Sequence, residues 1–269
     1  MPIREPKYKP DQTIVKVIGF GEHLRIKVVN VNMLRTEGVE DGSGHGTKGT
    51  AGNDEKLMQS ISRAKHTIFE LAFCNPWDWF FTATLDPRKY DRTDLKKFHA
   101  DLTQWIRDYN KKHGTAIKFL LIPELHSDRE SWHMHGLLFG LPHDHLRQFR
   151  QGDVMGRGIA LKVLKGDAVY NWDSYAAKFG FCDLEPIRSA EAVSKYITKY
   201  ISKSLHNSVT ELNAHLYYHS RGLSTGDVIK KGTLVAPSVP KWDYENEYCR
   251  IATLPYSDEL LEQLKSSLI

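Results

Sequence analysis

Two histidines separated by a single residue, His133 and His135, are the side chains of this sequence best suited to bind a metal ion. They precede an apolar run at residues 137–139, and a longer apolar run at residues 117–123 lies upstream across a short polar segment. This pattern predicts two adjacent strands joined by a turn. Side chains alternate along a strand, so the two imidazoles point the same way, about 7 Å apart, while Met134 points into the core. Two imidazoles on one sheet face can share a divalent metal ion.

A third ligand, an oxygen, is available on the upstream strand. Glu124 lies near the end of that strand, which is expected to run alongside the strand of His133 and His135. His126 lies two residues further on the same face and is the other candidate, although Glu124 is favoured. The alternative interpretation of this pattern is a half-exposed strand with two structural histidines.

A second group of reactive side chains lies downstream, in residues 190–205, AEAVSKYITKYISKSL. Apolar residues recur every four positions there, which predicts a helix with a buried stripe. A second stripe carries Tyr196 and Tyr200, one turn apart. A third stripe is basic and consists of Lys195, Lys199 and Lys203. Phenols beside ammonium groups suit an anionic nucleic-acid backbone, although tyrosines at this spacing also pack cores and lysine stripes also serve as solvated faces.

Together, three motifs in one order resemble those of the rolling-circle replication initiators, the HUH endonucleases named after their paired histidines. The motifs are a strand with Thr82 and Thr84, the pair His133 and His135, and the helix with two tyrosines. That helix is similar to the subset found in phages with single-stranded DNA genomes and in related prophages and plasmids. The resemblance covers roughly residues 79–203. It implies an α+β fold with a central antiparallel β-sheet flanked by helices, of the ferredoxin-like or RRM-like HUH type.

The same resemblance implies a replication initiator that nicks single-stranded origin DNA and later rejoins the strand. Tyr196 or Tyr200 would be the nucleophile and would form a 5′-phosphotyrosine bond, leaving a free 3′-hydroxyl as a primer. Glu124, His133 and His135 would hold Mg²⁺ or Mn²⁺ beside the scissile phosphate. Two tyrosines one turn apart would let one hold the 5′ end while the other cuts the regenerated origin.

Basic and polar side chains near these motifs are expected to assist. A phenol has a pKa of about 10 and needs a base or a cation to ionise at neutral pH. Lys199, between the two tyrosines, is assigned that catalytic role. The residues expected to bind DNA are Lys195, Lys203, Thr82, Thr84 and Arg88. The expected partners are single-stranded or hairpin origin DNA, with a host DNA polymerase and helicase.

Bulk properties indicate a folded protein with a mild preference for polyanions. The chain has 269 residues, of which 41% are hydrophobic, and a formal net charge of +4. Its three cysteines, Cys74, Cys182 and Cys249, lack metal-ligand spacing and indicate a reducing compartment, here the cytoplasm of a host cell. Neither a secretory h-region nor an apolar run of about eighteen residues occurs, so no membrane association is expected.

The chain is expected to divide into three segments. Residues 1–53 are interpreted as a β-hairpin and a flexible glycine-rich loop, residues 54–235 as the catalytic domain, and residues 236–269 as an extension with a terminal helix. Within the catalytic domain, residues 142–150 are interpreted as a short helix and residues 152–164 as a glycine-punctuated, strand-forming segment.

Two other functions would use the same residues. A non-nucleolytic His/Glu metalloenzyme would act on small substrates, with the tyrosines structural. A DNA-binding module would keep the fold without catalysis. Covalent attachment to DNA distinguishes nicking from both. The sequence leaves open which tyrosine attacks first and which ion is used.

Overall fold

The computed structural model of the protein describes residues 12–18, 23–29, 54–189, 193, 196, 216–233, 241–245 and 249–269. The chain forms two compact units, one made of residues 1–46 with 224–269 and the other of residues 47–223. Across the described ranges, none of the helices is long and apolar enough to cross a membrane.

The described strands are β1 (Gln12–Ile18), β2 (His23–Val29), β3 (Trp79–Leu85), β4 (Lys118–Leu125), β5 (Trp132–Phe139), β6 (Arg147–Gln148), β7 (Tyr170–Asn171), β8 (Gly180–Pro186), β9 (Tyr218–His219), β10 (Asp227–Thr233), β11 (Tyr244–Glu245) and β12 (Cys249–Pro255). The described α-helices are α1 (Asp54–Phe73), α2 (Leu95–His113), α3 (Arg157–Leu164), α4 (Asp173–Lys178) and α5 (Asp258–Ser266). A 3₁₀ turn covers His143–His145.

The larger unit is built on a seven-stranded antiparallel sheet with the strand order β6-β7-β8-β3-β5-β4-β9. Strand β5 lies between β3 and β4, so the paired histidines are near the middle of the sheet. The predicted α+β class, with an antiparallel sheet flanked by helices, is confirmed.

Each face of this sheet has its own apolar core. On one face, alternate residues of the central strands, among them Phe81 and Met134, pack with the apolar stripe of α2. On the other face, Leu120 and Leu137 pack with the apolar stripe of α1, which includes Ile68. Because side chains alternate along a strand, the face against α2 is packed throughout, whereas the face against α1 also carries the histidines.

Helix α2 shows how local sequence sets an element. The Asp94 side chain accepts a hydrogen bond from the backbone amide of Lys97, which caps the amino end. Gly114 ends the helix with φ of 66°, a left-handed conformation that glycine adopts without steric cost. The apolar periodicity of the sequence predicts a helix over residues 93–112, which the structure confirms to within two residues at each end.

The smaller unit is a five-stranded antiparallel sheet with the order β10-β1-β2-β12-β11. The predicted hairpin of β1 and β2 is present, and its two strands pair with β10 and β12 from the other end of the chain. Leu261 and Leu264 of α5 pack on Val15, Ile26 and Ala252 of this sheet. The two chain ends, interpreted from the sequence as separate segments, thus share one sheet and one core.

Two local predictions are wrong. Residues 142–150 form one 3₁₀ turn followed by the short strand β6, because β6 pairs with β7 in the sheet. Residues 152–164 contain helix α3 in place of a strand. No residue of α3 is buried, and Leu161 and Leu164 are exposed, so this helix is not held by packing of an apolar stripe into a core.

Candidate metal centre and tyrosine helix

The β4–β5 hairpin positions the candidate ligands. Its register places Glu124 directly opposite His133. The connecting turn is held by Asp128, whose carboxylate accepts hydrogen bonds from the amides of Glu130 and Ser131 at 3.0 and 2.9 Å. These bonds lower the pKa of Asp128 to about 2, so its carboxylate stays ionised at neutral pH and continues to accept both hydrogen bonds. The hairpin and turn agree with the sequence interpretation.

Two imidazole nitrogens and one carboxylate oxygen meet on this hairpin. The Nε2 atoms of His133 and His135 are 2.9 Å apart. Oε2 of Glu124 lies 3.5 Å from Nε2 of His133 and 3.3 Å from Nε2 of His135. Two donors bound at about 2.1 Å to one ion stand about 3.0 Å apart in octahedral geometry and about 3.4 Å apart in tetrahedral geometry. The triangle therefore has the size that one divalent ion requires.

The electrostatics of this group favour a cation. Hydrogen bonds from His133 and then His135 hold the pKa of Glu124 well below its usual range, so the carboxylate is charged at neutral pH. Only 14% of each histidine side chain and 18% of the Glu124 side chain is exposed. Within the part of the chain that the structure describes, no other group of three or more His, Cys, Asp or Glu has this close spacing.

The outer nitrogen of each histidine also has a neighbour. Nδ1 of His133 is 2.9 Å from Nε2 of His126, and Nδ1 of His135 is 3.3 Å from Oγ1 of Thr82. If both Nε2 atoms bind an ion, both Nδ1 atoms carry protons and donate to these neighbours. Burial, and next the charge of His133, lower the pKa of His126, which favours its neutral form. This geometry favours Glu124 over His126 as the third ligand.

The threonines of β3 lie on the same sheet face as the histidines. Thr82 pairs across the sheet with His135 on one side and with Asp183 of β8 on the other. Thr84 is opposite His133 in the same way. Contact of Thr82 and Thr84 with DNA stays a prediction.

Asp183 is a site residue that sequence reasoning missed. Burial raises the pKa of Asp183 to about 6, even though the charge of Lys162 and, to a smaller extent, Thr82 act in the opposite direction. The alternation of β8, with Cys182 and Leu184 buried in the core, indicates that Asp183 lies on the opposite face. No local pattern indicates that β8 pairs with β3, so its proximity to His135 is not readable from the sequence.

Tyr196 packs on the histidine-bearing face. Its ring lies 4.2 Å, centroid to centroid, from the ring of Phe80, which precedes Thr82 by two residues on β3. Val193, one turn earlier, is buried in the same core, and the backbone at both positions is helical. The other predicted residues of this helix, Tyr200, Lys195, Lys199 and Lys203, lie outside the described residues.

Arg88 makes a strong local ion pair. Its guanidinium donates to Asp86 at 3.0 Å from Nε and 2.8 Å from Nη2, and this pairing lowers the pKa of Asp86 to about 2. The Arg88 side chain is nevertheless 82% exposed, whereas that of Asp86 is 5% exposed. Arg88 remains a predicted DNA contact, with part of its donor capacity already used.

Residues 78–205 match the family model described as replication-associated protein ORF2/G2P. The matched region covers slightly less than half of the chain and includes the three candidate ligands, Thr82 and the tyrosine helix. No curated protein and no solved structure gave a significant match. The family match supports a replication-associated protein of the Rep initiator type.

Proposed function

We propose that this protein nicks single-stranded origin DNA by metal-dependent tyrosine transesterification and later rejoins the strand during rolling-circle replication. The observation that carries the proposal is the triangle of His133, His135 and Glu124 on the same sheet face as Tyr196. The similarity to the replication-associated family over this region supports the same function.

The three ligands suit a site that binds and orients one phosphate. Mg²⁺ or Mn²⁺ held by them would polarise a non-bridging oxygen of the scissile phosphate, although the same donor set also accepts Zn²⁺. Three protein ligands leave coordination positions free for substrate oxygens. His126 and Thr82 contact the Nδ1 atoms of the two imidazoles, which leaves both Nε2 atoms directed toward Oε2 of Glu124, where the ion would bind.

The nucleophile is the phenol oxygen of Tyr196 or Tyr200. It loses its proton and attacks the phosphorus, a new bond forms between them, and the bond to the 3′-oxygen breaks. The 3′-oxygen takes up a proton, and the 5′-phosphate remains linked to the tyrosine. Lys199 stabilises the phenolate and the charge that develops on the phosphate. Because one ester replaces another, the reverse reaction rejoins the strand without an energy source.

Charge supports a nucleic-acid substrate for the larger unit. Residues 47–223 hold 25 Lys and Arg against 20 Asp and Glu, so this unit carries the positive excess of the chain. Single-stranded or hairpin DNA exposes the phosphate that the nucleophile must reach. The free 3′-hydroxyl is the primer that a host polymerase extends, while a host helicase separates the strands.

A covalent-trapping assay tests the proposal. The protein is mixed with a labelled library of single-stranded and hairpin oligonucleotides and Mn²⁺, and a denaturing gel reports the covalent adduct. We expect an adduct that EDTA abolishes, that Tyr196→Phe and Tyr200→Phe each reduce, and that the double substitution removes. Tyr217→Phe is the matched control, since Tyr217 packs in the same apolar core as Tyr196.

Other results assign a different function. An adduct that survives in the Tyr196→Phe, Tyr200→Phe double variant excludes tyrosine transesterification at this helix. Metal binding without any adduct, on every DNA including the origin of its own replicon, favours the small-substrate metalloenzyme. DNA binding that needs neither metal nor tyrosine favours a non-catalytic DNA-binding module.

A further inference from the structure

One phenylalanine is exposed on the sheet face that carries the candidate metal ligands. Phe181 of β8 is 57% exposed, and no other Phe or Trp among the described residues is exposed. Its neighbour Cys182 is buried in the core against α2, so alternation along the strand places Phe181 on the opposite face, that of the histidines. Isolated exposed apolar side chains are common, so the position of this ring carries more weight than its exposure.

The strand register places this ring in the same row as two of the metal ligands. Phe181 pairs with Thr84 of β3, which pairs in turn with His133 of β5. Glu124 of β4 completes the row opposite His133. Adjacent strands are about 4.8 Å apart, so the Cα atoms of Phe181 and His133 are separated by about 10 Å. Because only the short side chain of Thr84 stands between them, a nucleotide bound at the ion can extend toward the ring.

The backbone around Phe181 is held on both sides. The β3–β8 pairing runs without a break from Trp79 opposite Pro186 to Leu85 opposite Gly180. Just beyond that point, the amide of Asp86 donates a hydrogen bond of 2.8 Å to the carbonyl oxygen of residue 179. The position of the ring relative to the ligands is therefore set before any ligand binds, which lowers the entropic cost of binding.

The charges around the ring favour an uncharged ligand. Asp183 lies two residues along β8 on the same face, and the next carboxylate on that face, Glu185, has Lys162 as its ion-pair partner at 2.6 Å. A carboxylate beside the ring repels a phosphate but not a neutral base. Arg88, which follows β3 at the same end of the sheet and is 82% exposed, offers a cation to the phosphates. The row thus suits a base at Phe181 and phosphates at the ion and at Arg88.

We propose that Phe181 is a stacking platform for an unpaired base of the DNA strand, beside the phosphate that meets the metal ion. Aromatic side chains on an open sheet face bind single strands in this way, and every base has a π-face, so the contact tolerates any sequence. The inference rests on the proposed function only in taking single-stranded DNA as the substrate. Removing one such ring typically weakens binding by roughly 5–150-fold.

The first test measures DNA affinity by fluorescence anisotropy in EDTA, so that no strand is cut. The two ligands are a labelled dT oligonucleotide and an abasic oligomer of the same length, which carries the same phosphates without bases. We expect Phe181→Ala to weaken binding of the dT oligonucleotide by roughly 5–150-fold and that of the abasic oligomer by less than about twofold. Phe181→Leu keeps an apolar side chain without a π-face and should behave like Phe181→Ala, whereas Phe181→Tyr should bind within about threefold of the wild type.

The second test observes the contact directly through Phe181→Trp. The added indole can stack, so we expect the dT oligonucleotide to quench its emission, after subtraction of the wild-type signal, and the abasic oligomer to leave it unchanged. The control is Tyr244→Ala, which removes an aromatic side chain that is 41% exposed on β11 of the smaller unit. We expect this variant to bind both ligands within about twofold of the wild type.

Equal affinity of the wild type and Phe181→Ala for the dT oligonucleotide would overturn the inference. An equal loss on the abasic oligomer would do the same, because the ring would then contact no base. If Phe181→Ala does not fold, the comparison of Phe181→Leu with Phe181→Tyr decides. Failure of the nicking function is seen separately, as a wild-type protein that binds the dT oligonucleotide through Phe181 but forms no covalent adduct. An adduct formed at full yield by Phe181→Ala, with unchanged affinity, would instead retain the nicking function and remove only this inference.

Discussion

The two faces of the seven-stranded sheet are made by the same strands and differ in almost every property. On β5, Met134 is fully buried against α2, while its neighbours His133 and His135 lie half-buried on the other face with Glu124. One face supplies cohesion through apolar contacts. The other face carries the polar and titratable side chains. The apolar packing of the first face stabilises the strands that hold these side chains in place. A strand delivers both because its side chains alternate.

The histidine-bearing face is itself divided along the strands. At one end, Leu120 and Leu137 lie under α1 in an apolar core. Two residues further along β4, Ile122 is opposite His135, and two residues beyond that Glu124 is opposite His133. The polar groups thus begin where the apolar core ends. The core excludes water from one side of the site, which strengthens the electrostatic interactions there.

The largest expected effect comes from the residue that keeps β4 and β5 close. A Cβ atom on Gly136 would lie 2.0 Å from the carbonyl oxygen of Leu120 on the neighbouring strand, where only backbone could yield. We expect Gly136→Ala to lower the free energy of unfolding by at least about 4 kcal/mol or to prevent folding. Denaturant unfolding monitored by circular dichroism measures this. A loss below about 1 kcal/mol would show that the two strands can separate without disturbing either face.

Truncating a side chain on the face packed against α2 should lower the free energy of unfolding by less than Gly136→Ala does. The loss should still be much larger than that from an equivalent change on the histidine-bearing face. We expect Met134→Ala to lower the free energy of unfolding by about 2–5 kcal/mol, since it leaves a cavity against α2. Thr84 lies opposite His133 on the histidine-bearing face. We expect Thr84→Ala to lower the free energy of unfolding by about 1 kcal/mol or less. Equal losses of unfolding free energy for the two variants, measured in the same assay, would contradict the conclusion that one face provides most of the stability.

Metal ions should stabilise the protein through the histidine-bearing face alone. At Mn²⁺ concentrations a hundred times the dissociation constant, we expect the free energy of unfolding to rise by about 2.7 kcal/mol. His135→Ala should abolish this gain. His113→Ala, which removes an exposed histidine at the end of α2, should preserve it. Thermal unfolding with and without Mn²⁺ measures the gain, and its persistence in His135→Ala would place the ion elsewhere.

The last expected effect, similar in size to the gain from metal binding, is a pH dependence at Asp183. The folded pKa of about 6 lies above the value near 3.9 expected for an unfolded chain, so ionisation opposes folding. The resulting penalty is absent below about pH 4 and complete above about pH 6. Relative to Asp183→Asn, the wild type should therefore gain roughly 2–3 kcal/mol of unfolding free energy between pH 7 and pH 4.

This comparison is made in EDTA by chemical denaturation at each pH. The groups that surround the Asp183 carboxyl are Lys162, Glu185, Thr82 and His133, and they are common to both proteins. Subtracting the variant from the wild type therefore isolates the carboxyl to a first approximation. A difference that stays flat, or that falls as the pH is lowered, would show that Asp183 is not held in a poorly solvated position.

Much of the larger unit was predictable because its signals are local. Helices α1 and α2 carry apolar stripes and, for α2, a cap. The stripes predict helices from about residue 54 to 73 and from 93 to 112, and both observed helices lie within two residues of these bounds. Helix α3 has no buried residue and was not predicted. Strand β6 exists through its pairing with β7, a partner that its own two residues do not indicate.

The candidate site divides in the same way. Alternation along a strand predicted that His133 and His135 share a face, and the short turn predicted that Glu124 lies beside them. The positions of Thr82 and Asp183 relative to His135 could not be predicted, since the strands that carry them are far apart in the chain. The hairpin of β1 and β2 was predicted, but its pairing with β10 and β12 was not.

The sequence by itself therefore determined the faces of the strands, the stripes of the main helices, and the hairpin that brings two imidazoles and a carboxylate together. These follow from periods of 2.0 and 3.6 residues and from turn chemistry, which act over a few neighbouring residues. The tertiary structure alone decided that β3 lies between β5 and β8, with Thr82 between His135 and Asp183. That order depends on burying both faces of the sheet at once, a requirement that acts between distant segments of the chain.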